Sequence, residues 1–155
     1  MTVPHKERFF EDYQVGEVVE FGDYPITKEE ILEFAGRYDP QPFHTDEVAA
    51  AQSNYGGLIA SGWMTASVMM RMLVEHFVSF TASMGSPGID ELRWLRPVRP
   101  GDRLRVRVTV LETRRSQTKP DRGAVLSLDE VINQDDEVVM TVKGWGLYRA
   151  RSAPG

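Results

Sequence analysis

The stretch "WMTASVMMRMLVEHFVSF", Trp63–Phe80, decides the fold. Its apolar residues fall on nearly every side of a helix instead of along one stripe. Such a helix has to be wrapped by a sheet or by a partner. Its length approaches that of a membrane span, but Arg71, Glu75 and His76 interrupt it, and charges at bilayer depth are costly. It therefore reads as a core helix, ended by the turn-rich "TASMGSPG" (81–88).

Beyond that turn the chain reads as strand. Ile89–Pro97 is one, "RPGD" (99–102) a turn, and "RLRVRVTVLE" (103–112) alternates strictly. Leu104, Val106, Val108 and either Val110 or Leu111 are set against Arg103, Arg105 and Arg107, the signature of a strand with one buried face. "AVLSLDEVIN" (124–133) and "EVVMTVKGWGLYR" (137–149) are further strands, joined by the hairpin-like "QDDE" (134–137). Upstream, "GEVVEFGDYPI" (16–26) reads as the first strand, bounded by glycine and proline. Thr27 and Glu30 stand at capping-box spacing, and Ile31, Leu32, Phe34, Ala35 and Tyr38 form the buried face of the helix they open. Pro40 disfavours helical geometry at Asp39 and ends it there. "PQPFH" (40–44) reads as a loop, "TDEVAAAQS" (45–53) as a short helix and "NYGGLIASG" (54–62) as a glycine-rich connection.

The fold class is thus α+β, a curved antiparallel sheet around a central apolar helix. The 155 residues are the size of one domain, with no internal repeat. Residues 1–9 read as an N-terminal arm and 151–155 as a flexible tail. A net charge of −5 without a lysine-rich tail argues against general nucleic-acid binding. Zero cysteines excludes disulfides, thiol nucleophiles and cysteine metal sites, and fits a reducing cytoplasm. The first residues lack the apolar run of a signal peptide, so a cytoplasmic protein without membrane attachment is expected.

Chemistry concentrates in "YDPQPFHTD", Tyr38–Asp46, which holds one of the three histidines. Pro40 and Pro42 fix two φ angles between Asp39 and His44, lowering the entropy lost in holding both side chains in one geometry. A carboxylate beside an imidazole is a natural pair for moving protons. An Asp after a helix is also an ordinary turn-former, and a lone His is often structural. "HTD" offers a metal only two ligands, and His5 and His76 lie in the arm and the core helix, so no metal site is expected. In "LIASGWMTAS" (58–67), Ser61 is a plausible N-cap and Gly62 lies in the first turn of the long helix. The unpaired N–H groups there meet the positive end of the helix dipole, and Gly62 lets a ligand carbonyl approach them, as in an oxyanion hole. Ordinary capping and close helix packing explain the same residues. Ser67, one turn on, could reach the same mouth or be a small core residue.

Taken together, "DPQPFHTD" (39–46), "GLIASGWMTAS" (57–67) and "LRWLRPVRPGD" (92–102) resemble the MaoC-like, (R)-specific enoyl-CoA hydratases and dehydratases of the hotdog fold. That family's pattern is roughly D-x-N-P-x-H-x-D, then a Gly-led apolar helix, then a strand ending in P-V-x-x-G-D. The resemblance runs from about Phe10 to Arg149. It implies that Asp39 and His44 are the catalytic pair, Gly62 the donor to the thioester oxygen and Ser67 a supporting serine. Gln41 stands where the pattern has Asn, and Ser61 where many relatives have His. The implied reaction is reversible syn hydration of a trans-2-enoyl-CoA to a (3R)-hydroxyacyl-CoA. It needs no metal or redox cofactor, CoA being part of the acyl-CoA thioester substrate. A homodimer or larger homo-oligomer, with the sheets joined edge to edge, is implied as well.

Two other functions share the scaffold. A hotdog thioesterase would need a carboxylate that activates water, for which Glu75 is the candidate, although it lies about three and a half turns beyond Gly62. A non-catalytic acyl-CoA-binding protein is the other. Arg93–Arg115 contains eight arginines against Asp102 and Glu112. A solvated sheet face is their first reading, and contact of one or two with CoA phosphates the second. Trp63, Met64, Met69, Met70, Met72 and Phe77 read as core, some of them able to line an acyl tunnel.

Overall fold

The computed structural model describes residues 3–151. Five strands form one antiparallel sheet: β1 (Val18–Pro25), β2 (Gly88–Trp94), β3 (Arg103–Arg115), β4 (Arg122–Ile132) and β5 (Val138–Arg149), in spatial order β1-β3-β4-β5-β2. The helices are α1 (Lys28–Tyr38), the one-turn α2 (Pro42–Thr45), α3 (Glu47–Ala51) and α4 (Gly62–His76). The sheet curls around α4, the architecture expected of so apolar a helix.

The alternation in β3 translates directly into burial. Leu104, Val106, Val108 and Val110 are buried against α4, which settles the choice between Val110 and Leu111 in favour of Val110. Arg103, Arg105 and Arg107 point to the convex face and pair with Asp23, Glu20 and Glu130. The β4–β5 hairpin turns through Asp136, whose φ of 62° is left-handed, a conformation that Asp tolerates through local hydrogen bonding. On α4, Met64, Thr65, Val68, Met69, Met72 and Leu73 face the core. Trp63, Met70 and Val74 stay exposed, and the Trp63 ring meets Trp94 of edge strand β2 edge-on. Among the described residues no helix is long and apolar enough to cross a membrane.

The structure departs from the sequence expectation in several details, among them β2, which ends at Trp94 and not Pro97. The central helix ends at His76, not near Phe80, because Ser79 leaves the helical path. Its hydroxyl donates to the Arg8 carbonyl at 2.6 Å, and the Phe80 and Thr81 amides donate to the Lys6 carbonyl. "PQPFH" is not all loop, since Pro42 takes the first helical position of α2, where its missing N–H is no loss. Tyr38 is exposed and only Ile31 and Ala35 of the α1 face are fully buried. The Thr27 cap forms, accepting the Glu30 amide, but Glu30 returns its carboxylate to the Tyr24 hydroxyl and not to the cap. In the arm, Arg8 makes a two-pronged pair with Glu17. Of the expected tail, Arg151 pairs with Asp12 at 2.6 Å, and residues 152–155 lie outside the described residues.

Candidate active site

Asp39 is the C-cap of α1 and His44 lies on α2, so two helix ends separated by Pro40 and Pro42 hold the two side chains together. His44 Nε2 is 3.3 Å from Asp39 Oδ2. The imidazole is buried, and its Nδ1 lies 2.8 Å from the Ile59 carbonyl oxygen. A carbonyl can only accept, so Nδ1 carries a proton and Nε2 is the nitrogen turned to the carboxylate.

Asp39 is held from both sides. Gln41 Nε2 donates to Oδ1 at 2.6 Å and Ser61 Oγ to Oδ2 at 2.8 Å. Burial pushes the carboxyl upward, but these two donors and the nearby imidazole outweigh it and hold Asp39 below the ordinary carboxylate range. Ser61 is fully buried and also caps α4, accepting the Trp63 amide at 3.2 Å.

These groups open into a cleft of about 430 Å³ lined by Asp39, His44, Phe43, Thr65 and Trp94 among others, with Gly62 at its wall. Gly62 is the first residue of α4, and among the described residues its N–H has no hydrogen-bond acceptor. A Cβ at Gly62 would sit 2.5 Å from the Trp94 ring, whose Nε1 donates to the Gly62 carbonyl at 2.9 Å.

The structure thus brings Asp39, Gln41, His44, Ser61 and Gly62 to one place. Ser67 does not join them. It is exposed one turn beyond Trp63 and outside the lining of the cleft, with its hydroxyl donated to the Trp63 carbonyl, and the buried residue presented to the cleft from that turn is Thr65. Asp46, the acid of "HTD", caps α3 by accepting the Val48 and Ala49 amides, and the carboxylate beside His44 is that of Asp39. Among the described residues no group of three or more His, Cys, Asp or Glu could hold a metal ion. Glu75 is exposed and paired with Arg71. The Ile59 carbonyl, Thr65 and Trp94 went unpredicted. A backbone acceptor leaves no mark on side-chain pattern, and Trp94 meets Gly62 only through tertiary packing.

The model of the MaoC like domain matches residues 11–131. The MaoC-like dehydratase from Rhodospirillum rubrum superimposes with a TM-score of 0.87 at 40% identity, over 94% of this chain and 99% of that one. The chain belongs to the MaoC-like domain family. The uncharacterized protein YdeM of Bacillus subtilis is 26% identical over 118 residues, 76% of this chain and 82% of its own length. An unliganded (R)-hydratase from Pseudomonas aeruginosa shares the fold, with a TM-score of 0.70 at 22% identity over 95% of this chain and 92% of that one. The sheet curled on its helix is accordingly a MaoC-like hotdog.

Proposed function

We propose that this MaoC-like protein is a hydratase/dehydratase that adds water reversibly to a trans-2-enoyl-CoA, giving a (3R)-hydroxyacyl-CoA. The observation that carries the reading is the 3.3 Å approach of His44 Nε2 to Asp39 Oδ2 beside the free N–H of Gly62. Both atoms are acceptors when Asp39 is ionised and His44 neutral. A water lying against both donates one hydrogen to each and is left with an oxygen lone pair free to attack. As that oxygen bonds to Cβ, the pair takes one of the water's protons, and a proton passes from the pair to Cα on the same face. Charge that builds on the thioester oxygen is met by the Gly62 N–H at the positive end of α4. The net change is H and OH across the double bond. The addition is redox-neutral overall, so the reading calls on no redox cofactor, and CoA belongs to the substrate.

Exposed Ile89 and Trp94 on edge strand β2, with Trp63, Met70 and Val74 on α4, support a homodimer joined through β2. Arg96 lines the cleft and Arg99 holds the neighbouring Tyr55 carbonyl at 2.6 Å, which favours these two for CoA phosphates. A thioesterase finds no water-activating carboxylate in Glu75, which faces solvent beside Arg71.

The test follows loss of enoyl-thioester absorbance with crotonyl-CoA and longer trans-2-enoyl-CoAs. Asp39→Asn and His44→Ala, checked for intact folding, are expected to abolish it, with (3R) product and no free thiol from the wild type. Full activity in both variants would sink the assignment, and binding without turnover would point to the non-catalytic alternative.

A further inference from the structure

A second cavity, of about 310 Å³, lies between α4 and the concave face of the sheet. Its walls are largely apolar, with Met69, Leu73 and Phe77 from the α4 side and Val142 and Trp145 from β5. Into it projects Asp129, from the middle of strand β4 and only 5% exposed. The inward residues of β4 run Val125, Ser127, Asp129, Val131, so two polar side chains interrupt an apolar row. Ser127 Oγ donates to Asp129 Oδ1 at 2.8 Å. Among the described residues Oδ2 has no hydrogen-bond partner. None of the residues lining the cavity is Lys, Arg or His.

A carboxyl buried without a second partner is destabilising, and a leucine or valine would pack the same strand position better. Its presence therefore needs a reason outside packing. We propose that this cavity receives the distal part of the acyl chain and that Asp129 selects chains bearing a hydroxyl group there. The proposal rests on the hydratase reading for the reacting end of the substrate. A hydroxyl can donate to Oδ2 of the carboxylate or accept from the protonated acid, so it satisfies Asp129 in either state. A terminal methyl would leave the carboxyl unpaired. A second carboxylate would meet no cation, and an ammonium would exchange full hydration for one acid in an apolar wall.

Strand β2 links the two cavities, with Trp94 lining the Asp39–His44 cleft at one end and Ile89 lining this cavity at the other. When two β2 edges pair antiparallel about a two-fold axis, the Trp94 end of one protomer lies against the Ile89 end of its partner. An acyl chain whose thioester sits at Gly62 thus extends across the seam into the partner's cavity.

The experiment compares unbranched trans-2-enoyl-CoAs with their ω-hydroxylated counterparts over a series of chain lengths. Binding of the matching saturated acyl-CoAs is measured in parallel by calorimetry. The expected result is a kcat/KM at least about ten-fold higher for the hydroxylated compound at the length that reaches Asp129, as for sites built to bond a substrate hydroxyl. Asp129→Val should abolish the preference by lowering kcat/KM for the hydroxylated chain towards that of the unsubstituted one, and Asp129→Asn, which still hydrogen-bonds, should retain part of it. No preference at any length in the wild type, or a preference that survives Asp129→Val, overturns the proposal. Should neither enoyl-CoA turn over while the hydroxylated saturated compound still binds more tightly, the hydratase reading fails and the Asp129 assignment stands. The wild-type comparison needs no variant, so a misfolded Asp129→Val does not spare the proposal.

Discussion

The Ser61 hydroxyl donates to Asp39 Oδ2 at 2.8 Å while accepting the Trp63 amide at 3.2 Å. One side chain thereby ties the N-terminus of the central helix to the carboxylate of the candidate pair. Ser61→Ala removes the cap, at about 1 kcal/mol, and one of the donors that hold Asp39 ionised. Asp39 lies below the ordinary carboxylate range, so its stabilisation is present above that range and lost as pH falls through its folded value. In Ser61→Ala that loss should be smaller and complete at a higher pH. Urea unfolding at several pH values measures it, and the acidic limb of the hydratase pH–rate profile should move up in parallel.

Gly62 admits Trp94 against its Cα. An alanine Cβ would lie 2.5 Å from the indole, so Gly62→Ala has to displace the ring and break its bond to the Gly62 carbonyl. Alanine is otherwise the better helix former by up to about 1 kcal/mol, so stability lost in this variant reports on Trp94 and not on α4 itself. We expect a changed tryptophan emission, a retained fold and a kcat/KM reduced by about ten-fold or more, as for a disturbed oxyanion donor. Wild-type activity in a variant with displaced Trp94 would remove Gly62 from the site.

Arginines of β3 and of the cleft should separate cleanly. Arg103 and Arg107 are engaged by Asp23 and Glu130 on the convex face, remote from the cleft lining. Exposed pairs of this kind contribute about 0–1 kcal/mol, so Arg103→Ala and Arg107→Ala should change stability little and KM for an acyl-CoA not at all. Arg96→Ala is expected to raise KM several-fold, with kcat nearly unchanged and a weaker dependence of KM on salt. Equal effects from all three would mean that the arginines act through stability alone.

Legibility in the sequence tracks the physical range of each interaction. The alternation of β3 is a local pattern and maps onto burial almost residue for residue, whereas the apolar α4 buries Met64, Met69 and Met72 but leaves Trp63 and Met70, also expected in the core, exposed. Asp39 and His44 were legible because Pro40 and Pro42 constrain the short chain between them. Ser67 lies exposed one turn beyond Trp63 and outside the cleft lining, while Thr65, two positions earlier and about 200° round the helix, holds the buried phase. His44 draws its proton position from the Ile59 carbonyl, which any residue type would supply. On β4, Leu126 and Leu128 lie on the less buried face and Ser127 and Asp129 point inward, so hydropathy gives no guide to which side meets the core.

That inversion on β4 makes stability depend on pH in the sense opposite to Asp39. Burial raises the Asp129 carboxyl from 3.8 to about 6, with the Ser127 hydroxyl opposing. Between these values the folded state binds more protons than the unfolded chain, so stability falls as pH rises through the window and levels off above it. The contribution present below the window and absent above it is on the order of 3 kcal/mol. Asp129→Asn keeps the shape and the Ser127 bond without the titration. Its stability should therefore be flat between pH 4 and 6 relative to the wild type, and higher than the wild type at neutral pH. Parallel urea titrations of the two proteins across that range decide the matter. Curves that run parallel would mean that Asp129 titrates alike in the folded and unfolded chains, and that water or a partner already satisfies it.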